Sequence, residues 1–297
     1  MSSIQIDSWR VRPSDGGASL ALDQDRMAIA SSARLCVWQG GTRVANVEAL
    51  FSSPGIPRFV GQKVYWGPGF LDLVSGEYRR LENAQPTMWP GGGERAHVYA
   101  WSPSGDRLVA SFSTGDPNHP VRATLFSGET GATVASLWEG NRLPPQAAWV
   151  GEHAAVVGLN TPEVFDHSGK HIATIVLDGA NVAAIDAPRN ERRLMVLDLN
   201  RTISWIDTAT WGILDTWSGP WLHASVSPDG RLVAALEAWG KVHFARTEND
   251  KFSFVGSADI DSNAVSLALS DDQIATVGGG EVGWATLTVD SVASVHD

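Results

Sequence analysis

Cysteine is almost missing: 297 residues contain one, Cys36. A lone thiol cannot close a disulfide within the chain, and a Cys-rich metal site is excluded with it. Cys36 lies in the apolar run Leu35-Cys36-Val37-Trp38, where it reads as a small buried hydrophobe. Long hydrophobic runs are missing too. No stretch approaches the roughly 18 apolar residues that cross a bilayer. Met1 to Arg10 lacks the basic-then-apolar layout of a signal peptide, so a cytoplasmic protein is expected. Positive charge is sparse, with 22 Lys and Arg against 33 Asp and Glu, a net charge of -11. The densest basic patch, Arg189 to Arg193, is interrupted by Glu191. Duplex nucleic acid and anionic membranes attract basic surfaces, so neither is expected as a partner. The preference for Arg over Lys, with abundant Ala and Gly, has a bacterial look.

Catalytic signatures are short as well. The 8 histidines are scattered. No HEXXH or GXSXG motif occurs, and His167 and His171 straddle a turn at Gly169. Gly91-Gly92-Gly93 and Gly278-Gly279-Gly280 neither open a helix nor precede a lysine, so both read as tight turns. No catalytic residue, metal site or cofactor is expected.

What the chain does have is apolar content and indoles: 43% hydrophobic residues, 19% charged and 13 Trp. That balance allows a sizeable buried core and disfavours disorder. It also has a repeat. Val98-Tyr99-Ala100-Trp101-Ser102-Pro103-Ser104-Gly105-Asp106-Arg107-Leu108-Val109-Ala110 and His223-Ala224-Ser225-Val226-Ser227-Pro228-Asp229-Gly230-Arg231-Leu232-Val233-Ala234 share one grammar. A short apolar strand runs into Ser-Pro-x-Gly, then into Arg-Leu-Val-Ala. Proline presets the turn, glycine accepts positive φ, and the flanking alternation is that of paired strands. Weaker copies start near 18, 56, 146, 182 and 264, and a third strand and a polar turn follow most pairs. A period near 40 residues is that of a four-stranded propeller blade. No segment carries a helical period.

These segments resemble the WD-repeat β-propeller superfamily. The best matches are Trp101 to Ala110 and Val226 to Ala234, with Val37-Trp38 and Trp205-Ile206-Asp207 at third-strand ends. No Gly-His or Trp-Asp dipeptide occurs, so the repeats are degenerate. The expected fold is all-β. One domain over 1–297 forms seven four-stranded antiparallel blades starting near 18, 56, 98, 146, 182, 223 and 264. The strand Ile4 to Val11 pairs beside Val282 to Leu287 and closes the ring.

The resemblance also implies two faces. Loops between second and third strands, and links between blades, share the top; the other turns share the bottom. The bottom turns are small and acidic, as at Asp23 to Asp25, Ser104 to Asp106 and Asp271-Asp272. The top loops carry Trp66, Phe70, Trp89, His119, Arg142, Arg201, Trp221, His223 and Trp239. Trp and Arg dominate binding hot spots, so these nine residues are the expected partner-binding surface, centred on Trp89, His119, Arg142 and Trp221. Trp101, Trp149 and Trp205 sit within strand patterns and belong to the core. The expected function is a non-catalytic scaffold holding another protein on its top face. Two alternatives stand beside it. One is a metal-assisted hydrolase or lactonase in the central channel, using candidates such as Glu152, Asn181, Asp186 and Asp261. The other is a carbohydrate-binding propeller that stacks sugars on exposed indoles.

Overall fold

The computed structural model describes residues 4–13, 19–31, 33–48, 55–86, 88–89, 92–114, 121–140, 145–151, 154–158, 161–178, 181–189, 192–238, 240–260, 263–278 and 281–289. Among them there is no helix, and seven four-stranded antiparallel sheets stand in sequence order. The innermost strands are Ser19–Asp23, Arg58–Val60, Arg95–Trp101, Gln146–Val150, Val182–Asp186, Trp221–Val226 and Ala264–Leu269. Each is followed outward by its second, third and outer strand. A two-stranded ribbon, Met88–Trp89 with Gly92–Gly93, lies between blades two and three.

Blade seven draws its outer strand from the other end of the chain. Ile4–Pro13 pairs antiparallel with Glu281–Val289, from Ile4 opposite Val289 to Pro13 opposite Glu281. The ring therefore closes through backbone hydrogen bonds and leaves no unpaired gap between first and last blades.

The turns explain the repeat. In blade three Ser102 Oγ accepts from Arg107 N (3.0 Å) and donates to Asp106 Oδ1 (2.9 Å), while Gly105 N donates to Ser102 O (3.0 Å). In blade six Ser227 Oγ accepts from Leu232 N (3.0 Å) and donates to Asp229 Oδ1 (2.7 Å), and Gly230 N donates to Ser227 O (2.8 Å). Both serines are buried, so the hydroxyl satisfies backbone that water does not reach. Gly105 and Gly230 have φ of 76° and 73°, which glycine adopts without steric cost.

The second strands are sandwiched between sheets and read as near-continuous apolar runs, as in Leu232–Glu237 and Arg107–Ser113. Seven separate core clusters result, one between each pair of adjacent blades, including blades seven and one. Burying each large apolar side chain contributes about 1.5–3 kcal/mol before entropy is counted. The ring is thus held by seven similar seams. Trp101, Trp149 and Trp205 are buried in three of them, where their strand patterns place them.

Candidate functional site

Every blade runs inner strand down, second strand up, third strand down. The starts of the inner strands and the second-to-third loops therefore share one face, the top. The strands there are irregular in a repeated way. In blades three, five, six and seven the inner strand carries a β-bulge near its start. The unpaired residues are His97, Ala183, Leu222 and Val265. A bulge shifts the alternation by one and re-aims a side chain. It does so here at equivalent positions of four blades.

Two of these residues, Leu222 and Val265, are among five large apolar side chains exposed on the top. Ile56, Val176, Leu199, Leu222 and Val265 are between 45% and 73% exposed, and all five lie at inner-strand starts, blade links or a second-to-third loop. Leu199 is held beside the start of blade five by its N–H, which donates to Asn181 O at 2.7 Å. Among the described residues the bottom turns show only Val74 as an exposed large hydrophobic; the others lie on outer strands. The bottom is instead acidic and cross-linked, with Arg193 reaching Asp207 (2.9 Å) and Asp250 (2.5 Å).

The residues expected on the top surface divide. Trp66 is 0% exposed and packs edge-on against Tyr78, 5.7 Å between centroids, inside the seam of blades one and two. Trp221 is 6% exposed; its Nε1 donates to Trp217 O (3.1 Å) and its ring lies 4.7 Å from that of Trp217. Both are corrections. Their rings point inward because an indole fills the wedge between blades better than it sits in water. Phe70 is half-buried under Lys63, whose Nζ is 4.5 Å from the ring centre, and beside Tyr65 at 5.4 Å. Arg201 is exposed in a left-handed turn with φ of 64°, and its carbonyl accepts from Gly219 N (3.2 Å). Arg201, Trp221 and His223 are therefore gathered at the top of blades five and six. The side chain of Trp89, and His119, Arg142 and Trp239 altogether, lie outside the described residues.

His223 follows the bulge at Leu222. Its Nδ1 is buried with no hydrogen-bond partner, and burial pushes its pKa down to about 4. His97 hydrogen-bonds Ser113 Oγ at 2.5 Å; burial, then Arg95, lowers its pKa. Of the residues considered for a channel metal, Asp186 accepts from Ser225 Oγ (2.8 Å), Val226 N (3.0 Å) and Ala187 N (2.9 Å). Burial raises its pKa against those three donors. It is an inter-blade tie. Glu152 and Asp261 lie outside the described residues.

No protein-family model matches the chain, and no curated protein matches it significantly. Solved structures do: 1559 chains match significantly, so the architecture is common and by itself selects no activity. One is the β-propeller domain of Cps50 (Swd1) from Myceliophteria thermophila. It matches with a TM-score of 0.77 and 11% identity over 96% of this chain and 100% of that domain. At that identity the likeness establishes the fold, a seven-bladed β-propeller similar to that domain. Among the described residues no helix is long and apolar enough to cross a membrane.

Proposed function

We propose that the protein is an interaction scaffold that holds an apolar segment of a protein partner on its top face, around the start of the inner strands. The observation that carries this reading is the coincidence of the bulges with the exposed aliphatic residues. Leu222 and Val265 are the bulged residues of blades six and seven, and each stands exposed where regular alternation would pack it. Exposed apolar clusters on a rigid fold mark interaction surfaces. Ile56, Val176 and Leu199 are exposed on the same face, and Arg201, exposed there at the second-to-third loop of blade five, offers a guanidinium able to donate bidentately. The rigid seams below mean that little ordering entropy is lost when a partner docks.

The test compares the partner captured by the wild type from its own cells with that captured by Leu222→Glu/Val265→Glu. Both positions are exposed, so the double variant keeps its fold and thermal midpoint while losing the partner. A Val74→Glu control on the bottom keeps it. Retention of the same partner by the folded double variant refutes the top-face reading.

A further inference from the structure

A concavity lies on the opposite face, at the seam where the ring closes. Blade one contributes Leu22, Met27 and Trp38, blade seven Gln273, Trp284 and Thr286. The cavity is about 210 Å³. Sites for whole small molecules begin near 300 Å³, so this one has the size of a single side chain. The apolar part of its wall is Trp38, Trp284 and Met27, which belong to the seam cluster, and Gln273 and Thr286 supply polar atoms beside them. Its entrance is uncovered. The turn Gly40-Gly41 borders it with φ of 54° and 80°, and a Cβ at Gly40 would meet nothing within 4 Å.

The polar groups decide what fits. Arg26 lines the cavity, but its guanidinium is committed. It pairs with Asp23, donates to Gly61 O (2.6 Å) and lies 4.8 Å from the Phe59 ring centre. Asp25, at the rim, is exposed, and its carboxylate has no partner among the described residues. The bottom ends of the two blades carry Asp23, Asp25, Asp271 and Asp272, against Arg26, Arg43 and the incoming Arg189. The cavity therefore combines two indoles, an apolar floor and an unpaired carboxylate in a chain of net charge -11.

We infer that this seam cavity is a binding site for a lysine or arginine side chain of a partner protein, with the aliphatic stem against Met27 and the indoles and the cationic head at Asp25. Aromatic faces attract cations through the ring quadrupole, and long basic side chains bury their stems while keeping the head near water. The site lies on the face away from Leu222 and Val265 and stands independently of the top-face reading.

The experiment follows the indole N–H signals of Trp38 and Trp284 by NMR in the full chain, assigned through Trp38→Phe and Trp284→Phe. The probes are N-acetyl-lysine methylamide, N-acetyl-arginine methylamide and the uncharged N-acetyl-norleucine methylamide. Saturable shifts of both indoles with a basic probe, and weaker ones with norleucine, support the site. Asp25→Asn, at an exposed position, weakens the basic probes roughly threefold to fivefold, the size of one exposed ion pair. Leu222→Glu/Val265→Glu leaves them unchanged. Equal binding of the norleucine probe makes the occupant apolar and overturns the inference. Absence of saturable shifts, or indifference to Asp25→Asn, overturns it as well.

Discussion

Arg189 makes a contact that a ring of nearest neighbours does not require, and its removal gives a sharp test of how the blades are locked. Asp23 ends the inner strand of blade one. Its Oδ1 accepts from Arg189 Nη2 at 2.7 Å, and its Oδ2 pairs with Arg26. Arg189 follows the inner strand of blade five, and its N–H donates to Pro228 O of blade six at 2.8 Å. Blades five and one are not neighbours, so the ion pair bolts the bottom of the ring across its axis. Burial is the largest influence on Asp23 and raises its pKa, yet the Arg189 and Arg26 guanidiniums together hold it below the ordinary carboxylate range.

The two partners differ in exposure. The side chains of Asp23 and Arg26 are 10% and 14% exposed, while that of Arg189 is 60% exposed. Asp23→Ala leaves the Arg26 head without its counter-charge. Breaking a fully buried pair costs about 3–5 kcal/mol, and this less enclosed one should cost about 2–3 kcal/mol. Arg189→Ala removes an exposed, screened partner and should cost under about 1 kcal/mol. At roughly 2 °C per kcal/mol for a chain of this size, Asp23→Ala lowers the thermal midpoint by about 4–6 °C and Arg189→Ala by about 2 °C or less. The pH dependence has a definite sign. A carboxylate whose folded pKa is depressed stabilises fully above its unfolded value near 3.9, and the contribution is lost as pH falls through the lower folded value. The gap between wild type and Asp23→Asn in urea unfolding is therefore constant at neutral pH and narrows below about pH 4. Equal losses for Asp23→Ala and Arg189→Ala, or additive losses in the double variant, would refute a coupled bolt.

Removing residues 1–13 strips blade seven of its outer strand, so the truncated chain should unfold several °C lower and self-associate through the bared edge of Glu281–Val289; calorimetry and light scattering read both, and adding the peptide 4–13 should restore the monomer. Gly105→Ala must hold φ of 76° and drive a Cβ into the Tyr65 hydroxyl. It should cost about 2–3 kcal/mol in urea unfolding, whereas Gly40→Ala, in open space, should cost only ~1 kcal/mol. His223, with its pKa pushed down to about 4, stays neutral in the fold while the unfolded chain takes up a proton. Stability should fall as pH drops from about 6.5 towards 4, and His223→Leu should flatten that slope; an unchanged slope in the variant assigns it elsewhere.

The propeller was legible because its turns are chemical. Ser102 and Ser227 sit where a buried hydroxyl must serve one backbone N–H and one aspartate, so the same letters return at each such turn. Closure was legible because Ile4–Pro13 alternates like a strand and had no partner in sequence. The surface was harder to read. Period-two alternation assigns a face only while the register is regular, and the bulges at His97, Ala183, Leu222 and Val265 break it where the inner strands begin. No residue type marks those bulges, so Leu222 and Val265 look like core from their neighbours. The indoles misled for the complementary reason. A tryptophan beside glycine or proline is free to turn either way, and at Trp66 and Trp221 the wedge between two blades offers more apolar contact than the rim does. The seam cavity escaped notice because its walls, Trp38 and Trp284, are 246 positions apart in the chain and meet only when the ring shuts. Chain closure thus does two things at once: it removes an edge that would aggregate, and it creates the concavity that no single blade contains.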